Sequence, residues 1–313
     1  MSTKDYLFIY LLIAKDRRQM SIDPKSNKEW GWTNNPILLP LAYDRREWNA
    51  AYIAAHMAEY CGARIILFHV SVKNEVIDQE FRNSVLQLFK KLNVETREIN
   101  AELAKESFEA ISKAIVDTAA NEQCQAIIMA AHKESFFIHI LGRVSDRVAR
   151  KSHIRTVLVE TPLSGISVHE ALKKVVVLVK PGTDGSEAFV LAAALTSLAT
   201  SKDAELIAAQ AILLPQTVPL DEVEFSKELR QIERDFANSI SMGIKNLGRP
   251  FIPRILAARD LGKDIGEFIK TEQADLVILT GRRSGQLSHV FGKDTEDIVR
   301  NSPSVAIVVF APK

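Results

Sequence analysis

The stretch LTGRRSGQLSHVFGK, Leu279–Lys293, holds three glycines (Gly281, Gly285, Gly292) around the adjacent pair Arg282–Arg283, and it follows an apolar run at 274–279. Glycines in a turn after a strand let backbone amides approach a phosphate closely, often at positive φ. A guanidinium takes the same anion bidentately. A second polar set, Lys180, Gly182 and Asp184, follows the apolar run VVVLV (175–179). Ligands of open α/β sheets sit at the carboxyl ends of strands, so the two stretches could converge on one edge. The candidate binding residues are therefore Lys180, Asp184, Arg282, Arg283, Ser284, Gly285, Gly292 and Lys293. The chemistry they suit is recognition of an anion. A helix starting near Asp294 would add its N-terminal dipole, although Asp294 itself opposes an anion and makes a good N-cap. The alternative is that Arg282 and Arg283 are solvated loop residues or pair with acids elsewhere.

Covalent chemistry has less support. Ser284 lies in GRRSG, where Arg282 and Gln286 replace the glycines of a G-x-S-x-G nucleophile elbow, and no His–acid pair can be assigned to it. The seven histidines lack ligand spacing, so no metal site is expected. His69 and His132 end strand-like runs and read as hydrogen-bonded structural residues rather than bases. No catalytic residue is assigned and no enzyme is expected.

The elements that must position these residues repeat. ILLPL (37–41), a helix over 46–61, ARIILFHV (63–70), a helix over 78–92, VETREI (94–99), a helix over 105–122, AIIMAA (126–131), a helix over 144–151 and RTVLVE (155–160) form one unit. TPLSGISVHEAL (161–172) breaks the pattern. The second unit runs VVVLV (175–179), helix 186–200, AELIAAQAI (204–212), a long helix 221–246, RILAA (254–258), helix 262–273, LVILT (276–280), helix 294–301 and VAIVVF (305–310). Alternating strands and helices predict a mostly parallel sheet with helices on both faces. Residues 125–131 overlay 275–281, and LGRVSDRVARKS (141–152) overlays FGKDTEDIVRNS (291–302), both at an offset of 150. A constant offset through strand, loop and helix argues for duplication. The boundaries are 1–35 for an apolar segment and linker, 36–162 for the first domain and 173–313 for the second. Asp44–Glu47 and Asp184–Glu187 both read D-x-x-E after the first strand of their unit. That is a capping-box pattern, or else a polar group at the ligand edge.

Length and composition agree with two ordinary domains: 313 residues, 47% hydrophobic, 25% charged. A net charge of +1 supplies no field for nucleic acid. Cys61 and Cys124, without CxxC spacing, read as reduced core residues.

Taken together, the chain resembles the universal stress protein family in a tandem two-domain form. The residues that carry the likeness are ILLPL with ARIILFHV, AIIMAAH (126–132) with LGRVSDRVARKSHIRTVLV (141–159), DGSE (184–187), and 276–309. The resemblance implies two five-stranded parallel sheets of order 3-2-1-4-5, paired through their last strands into a pseudodimer. Some members of the family bind ATP through a G-x2-G-x9-G-[S/T] loop after strand four and an Asp ending strand one. Neither repeat keeps that loop. Its first two glycine positions fall on Ala130 and Lys133, and on Thr280 and Arg283 (Arg282 if aligned on Gly292); Gly142 is followed by Arg143, and Gly292 by Lys293. The strand-one Asp falls near Ala42 and Lys180, or after an insertion at Asp184, with Asp44 weaker. The cofactor stays open, with weak ATP or another adenine nucleotide as the expectation.

Before the linker, YLFIYLLIA (6–14) is followed by Lys15, Asp16, Arg17 and Arg18. Nine residues cannot span a bilayer, which needs about 20. They read either as a strand or helix packed on the domain, or as the cytoplasmic end of a transmembrane helix, since basic residues flank such ends. Two functions therefore stay open. One is a non-enzymatic stress-type regulatory protein in the cytoplasm, homodimer included. The other is the cytosolic module of a membrane transporter of amino-acid permease-like, cation–chloride cotransporter or cation/proton antiporter type, held at the inner face of the membrane. ATP hydrolysis is a weaker third.

Overall fold

The computed structural model describes residues 31–71, 77–103, 107–131, 143–162, 168, 172–179, 185–197, 203–213, 231–232, 234–238, 240, 249–281 and 293–313. In the first repeat, β1 (Ile37–Pro40), β2 (Ile65–Ser71), β3 (Thr96–Glu102), β4 (Ala126–Ala131) and β5 (Arg155–Glu160) alternate with helices. These are α1 (Trp48–Cys61), α2 (Gln79–Lys91), α3 (Phe108–Asn121) and α4 (Arg143–Lys151). The second repeat supplies β6 (Lys174–Leu178), α5 (Ser186–Thr196), β7 (Glu205–Leu213), β8 (Ile252–Ala258), α6 (Leu261–Thr271), β9 (Leu276–Thr280), α7 (Lys293–Asn301) and β10 (Val305–Phe310). Of the long helix expected over 221–246, residues 231–232, 234–238 and 240 lie among the described residues and are helical.

All ten strands join one sheet in the order β3-β2-β1-β4-β5-β10-β9-β6-β7-β8. Each half therefore has the order 3-2-1-4-5, and the halves meet through their last strands. Every pairing within a half is parallel, and β5–β10 is antiparallel. Leu158 pairs with Val308, its own equivalent at the 150-residue offset, so the pseudo-two-fold passes between them. Other pairs repeat the offset. Gln123 and Gln273 both close a helix at φ 53. The Ser152 hydroxyl donates to the Ile154 carbonyl, and Ser302 does the same to Ser304. Gln125 and Asp275 hold the chain entering the first strand of their repeats: the Gln125 side-chain amide donates to Thr33 and Asn35 carbonyls, and the Asp275 carboxylate accepts from Lys173 and Lys174 amides.

Strands buried on both faces read as continuous apolar runs, which is why β4, β5, β9 and β10 fall where expected. One face is covered by α1, α2 and α5, the other by α3, α4, α6 and α7. Helices α1 and α5 are buried nearly all round and packed on each other, in keeping with their apolar and alanine-rich composition. Cys61 and Cys124 are free, and burial pushes both thiols up to about 12.

Two expectations need correction. The polar stretch ending at residue 35 is not a free linker at its end, because Trp32 is 0% exposed and belongs to the core that spans both repeats. The two D-x-x-E motifs also differ. Asp44 and Glu47 make a full capping box, whereas α5 starts on Gly185 at φ 64 with no side-chain cap.

Candidate functional site

In each half the chain reverses direction across the sheet between the first and fourth strands, so the switch-point edge lies at the ends of β1 and β4 and of β6 and β9. Register fixes the equivalences there. Ile37 faces Ala126 and Val175 faces Leu276, and those partners are 150 residues apart, so Ile37 corresponds to Val175. Counting onward, Ala42 corresponds to Lys180. This matches the alignment by distance from the strand.

In the first repeat the end of β1 is bonded by the chain's own groups. Glu47, buried, folds back over the end of β1, and its carboxylate accepts the Ala42 amide at 3.0 Å through either oxygen and the Asp44 amide at 3.1 Å. Asp44 accepts from the Arg46 amide at 2.8 Å and pairs with the Arg46 guanidinium. The backbone between them turns through Tyr43 at φ 59, a conformation that side chains other than glycine seldom adopt. Its ring is buried against His69, with centroids 5.3 Å apart, and lies beneath the Arg82 guanidinium at 5.8 Å. Burial, with Glu98 nearby, raises the Tyr43 phenol above its ordinary value. His69 Nδ1–H donates to the Leu41 carbonyl at 2.8 Å, a structural role as expected. Thus Ala42, just after the end of β1, presents a backbone amide already bonded within the repeat.

In the second repeat, β6 and β9 end side by side, from Val175↔Leu276 to Leu178↔Leu279. Candidate residues Lys180, Asp184, Arg282, Arg283, Ser284, Gly285 and Gly292 lie outside the described residues, as do His132 and Lys133 of the first repeat. Lys293 opens α7. Two neighbouring glycines have structural reasons. A Cβ on Gly185 would stand 3.1 Å from the Phe189 ring and 3.3 Å from Val179 Cγ2. A Cβ on Gly281 would collide with the ring of Phe310, and the Gly281 amide donates to the Val309 carbonyl at 2.8 Å. Gly281 is therefore a packing residue that extends the β9–β10 ladder rather than a free part of a phosphate cradle.

Glu187 of the second D-x-x-E leaves its own repeat. Its two oxygens take Arg155 Nε at 2.5 Å and Nη2 at 2.6 Å, a bidentate pair with Arg155 only 3% exposed. Oε2 also accepts from Trp32 Nε1–H at 3.2 Å, and the Arg155 guanidinium lies 4.2 Å from the Trp32 ring centroid. Neither Trp32 nor Arg155 is among the residues expected from the sequence. Two tryptophans, Trp30 and Trp32, in a polar stretch were the one available signal.

The pattern matches known proteins. Residues 33–160 match the model of the Universal stress protein family. Residues 33–160 belong to the universal stress protein family. The second repeat carries the same strand order. Among solved structures, the chain is similar to a universal stress protein from Archaeoglobus fulgidus (15% identity, 88% of this chain and 96% of that one, TM-score 0.57). It is similar as well to a functionally unknown protein of Pseudomonas aeruginosa (14%, 91% and 95%, TM-score 0.57). A third similar structure is the cytoplasmic domain of a prokaryotic cation chloride cotransporter (11%, 90% and 96%, TM-score 0.52). At these identities the likeness is one of fold. No curated protein is a significant match in sequence. Among the described residues, no helix is long and apolar enough to cross a membrane; residues 6–14 lie outside them.

Proposed function

We propose that the protein is a non-enzymatic regulatory protein of the universal stress type, cytoplasmic, with at most weak binding of a nucleotide or other anion, confined mainly to its second repeat. The observation that carries this lies at the end of β1 in the first repeat: Glu47 satisfies the Ala42 amide, where the family resemblance places a nucleoside contact. In the second repeat the basic residues keep the sign for an anion, while Arg283, or Arg282 if aligned on Gly292, stands where the family's loop needs glycine. Calorimetric titration with ATP, ADP, AMP and cyclic nucleotides tests it. Weak or absent ATP binding is expected for the wild type, with a gain of affinity in Arg283→Gly. Micromolar ATP affinity in the wild type contradicts it, and so does sustained release of phosphate from ATP, the mark of a hydrolase.

A second reading makes the chain the cytosolic regulatory module of a membrane transporter. It is favoured by the likeness to the cation chloride cotransporter domain over 90% of this chain, and by the apolar-then-basic segment YLFIYLLIAKDRR before the first repeat. Fractionation of cells producing the full chain separates the two. Membrane association that resists alkaline carbonate and is lost on Ile9→Asp supports the transporter module, and recovery in the soluble fraction opposes it.

A further inference from the structure

The two repeats are related by a pseudo-two-fold, yet one contact cluster at their joint has no symmetric copy among the described residues. Arg155 opens β5, and its equivalent at the 150-residue offset is Val305. Glu187 has Glu47 as its motif equivalent, which bonds within its own repeat. The cluster thus breaks the duplication, and it does so where the chain enters the first repeat. Gly31 and Trp32 supply its third side: Arg155 Nη1 donates to the Gly31 carbonyl at 3.3 Å, and the Trp32 ring lies under the guanidinium.

The sheet topology explains why these three meet. Because β5 and β10 run antiparallel, the amino edge of the first repeat lies beside the carboxyl edge of the second. The chain enters β1 at the former, and α5 begins at the latter, on Gly185, two residues before Glu187. From the structure we infer that Trp32, Arg155 and Glu187 form a latch that couples the chain's entry into the first repeat, at Gly31–Trp32, to the start of α5 in the second.

Three features make the latch stiff enough to transmit a displacement. Gly31 sits at φ 69, a backbone conformation that other residues rarely adopt, and its carbonyl accepts from Arg155 Nη1. Two residues after Gly31, the Thr33 amide is tied to Gln125 Oε1 at 2.7 Å, so the chain is held on both sides of Trp32. Arg155 is desolvated and bidentate, and a buried pair loses several interactions at once when one partner moves away. Pulling residue 31 must therefore break the bonds that Gly31 and Trp32 make to Arg155 and Glu187 or carry the start of α5 with it. By linkage the coupling is reciprocal: a shift of the start of α5 alters how tightly Gly31 and Trp32 are held. The latch stands on this geometry alone and holds for either function above.

Hydrogen exchange on the full chain tests it. Trp32→Ala is expected to speed exchange about tenfold both in β5 and in the first turns of α5, which belong to different repeats. Trp32→Phe keeps the ring and loses the indole donor, and a rise of about threefold at the same two places is expected. Glu187→Gln, made in the second repeat, should speed exchange at the Thr33 and Ile37 amides. Changes from Glu187→Gln confined to α5, with changes from Trp32→Phe confined to residues 31–37, would overturn the latch. Should Trp32→Ala loosen the whole sheet uniformly, the two conservative variants still decide.

Discussion

After β1 the carboxylate of Glu47 folds back on its own repeat and closes the strand end, whereas after β6 the carboxylate of Glu187 crosses the joint to Arg155 and Trp32. The two segments share D-x-x-E and the same place in a duplicated fold. What separates them is the residue at the start of the helix. Asp44 caps with its side chain in an extended backbone, and this brings Glu47 round to the preceding amides. Gly185 starts α5 at positive φ without a side-chain cap, leaving Glu187 for another partner. A motif therefore reports local geometry only when its backbone agrees, and in the second copy one glycine redirects it from capping to joining two domains.

The largest expected effect is at the crossing. Arg155→Ala leaves Glu187 without its guanidinium in a largely buried setting and should cost about 3–5 kcal/mol in urea unfolding. The paired replacement of Arg155 and Glu187 by Met should come close to wild-type stability. An equal loss in both variants would show that the charges themselves, and not the unpaired remainder, carry the joint.

A smaller effect sharpens the comparison of the strand-four ends. Gly281 has Ala131 as its equivalent, and Phe310 has Glu160. Gly281→Ala should cost roughly 1–3 kcal/mol through overpacking against Phe310, and much of that should return in Gly281→Ala with Phe310→Leu. No loss in the single variant would remove the packing reason for this glycine.

The smallest concerns pH at the pseudo-two-fold. Asp146 on α4 pairs with Arg150 at 3.1 Å, while its Oδ1 has no hydrogen-bond partner among the described residues. Burial first, and its equivalent Glu296 as a lesser cause, raise its carboxyl above the ordinary carboxylate range, although Arg150 and Arg147 oppose the rise. A carboxyl raised in the folded state binds its proton more tightly there, so its charged form costs stability above the raised value, and that cost disappears as pH falls through it. Asp146→Asn should therefore stabilise the protein slightly at neutral pH, read in urea unfolding. The gain should close as pH falls toward the ordinary range.

Much of the fold was legible because four inner strands are apolar on both faces and the last third of each repeat aligns without a gap. VETREI was read too early, since Asn93 turns at φ 53 and Val94 closes the helix end, so β3 starts at Thr96. The latch was not legible, because Trp32 and Glu187 are 155 positions apart and no local pattern links them. The candidate anion residues remain a reading of residue type and spacing, since apart from Lys293 they fall outside the described residues.

The central claim, that the second D-x-x-E joins the repeats while the first serves its own, is tested most directly by two double-mutant cycles. Glu47 and Arg155 sit at opposite edges of the first repeat's strands, on the order of 15–20 Å apart along the strand direction. Urea unfolding of Glu187→Ala with Arg155→Ala should show a coupling of about 2 kcal/mol or more, and Glu47→Ala with Arg155→Ala one within about 0.5 kcal/mol of zero. A coupling near zero for Glu187 with Arg155, or equal couplings in the two cycles, would contradict it.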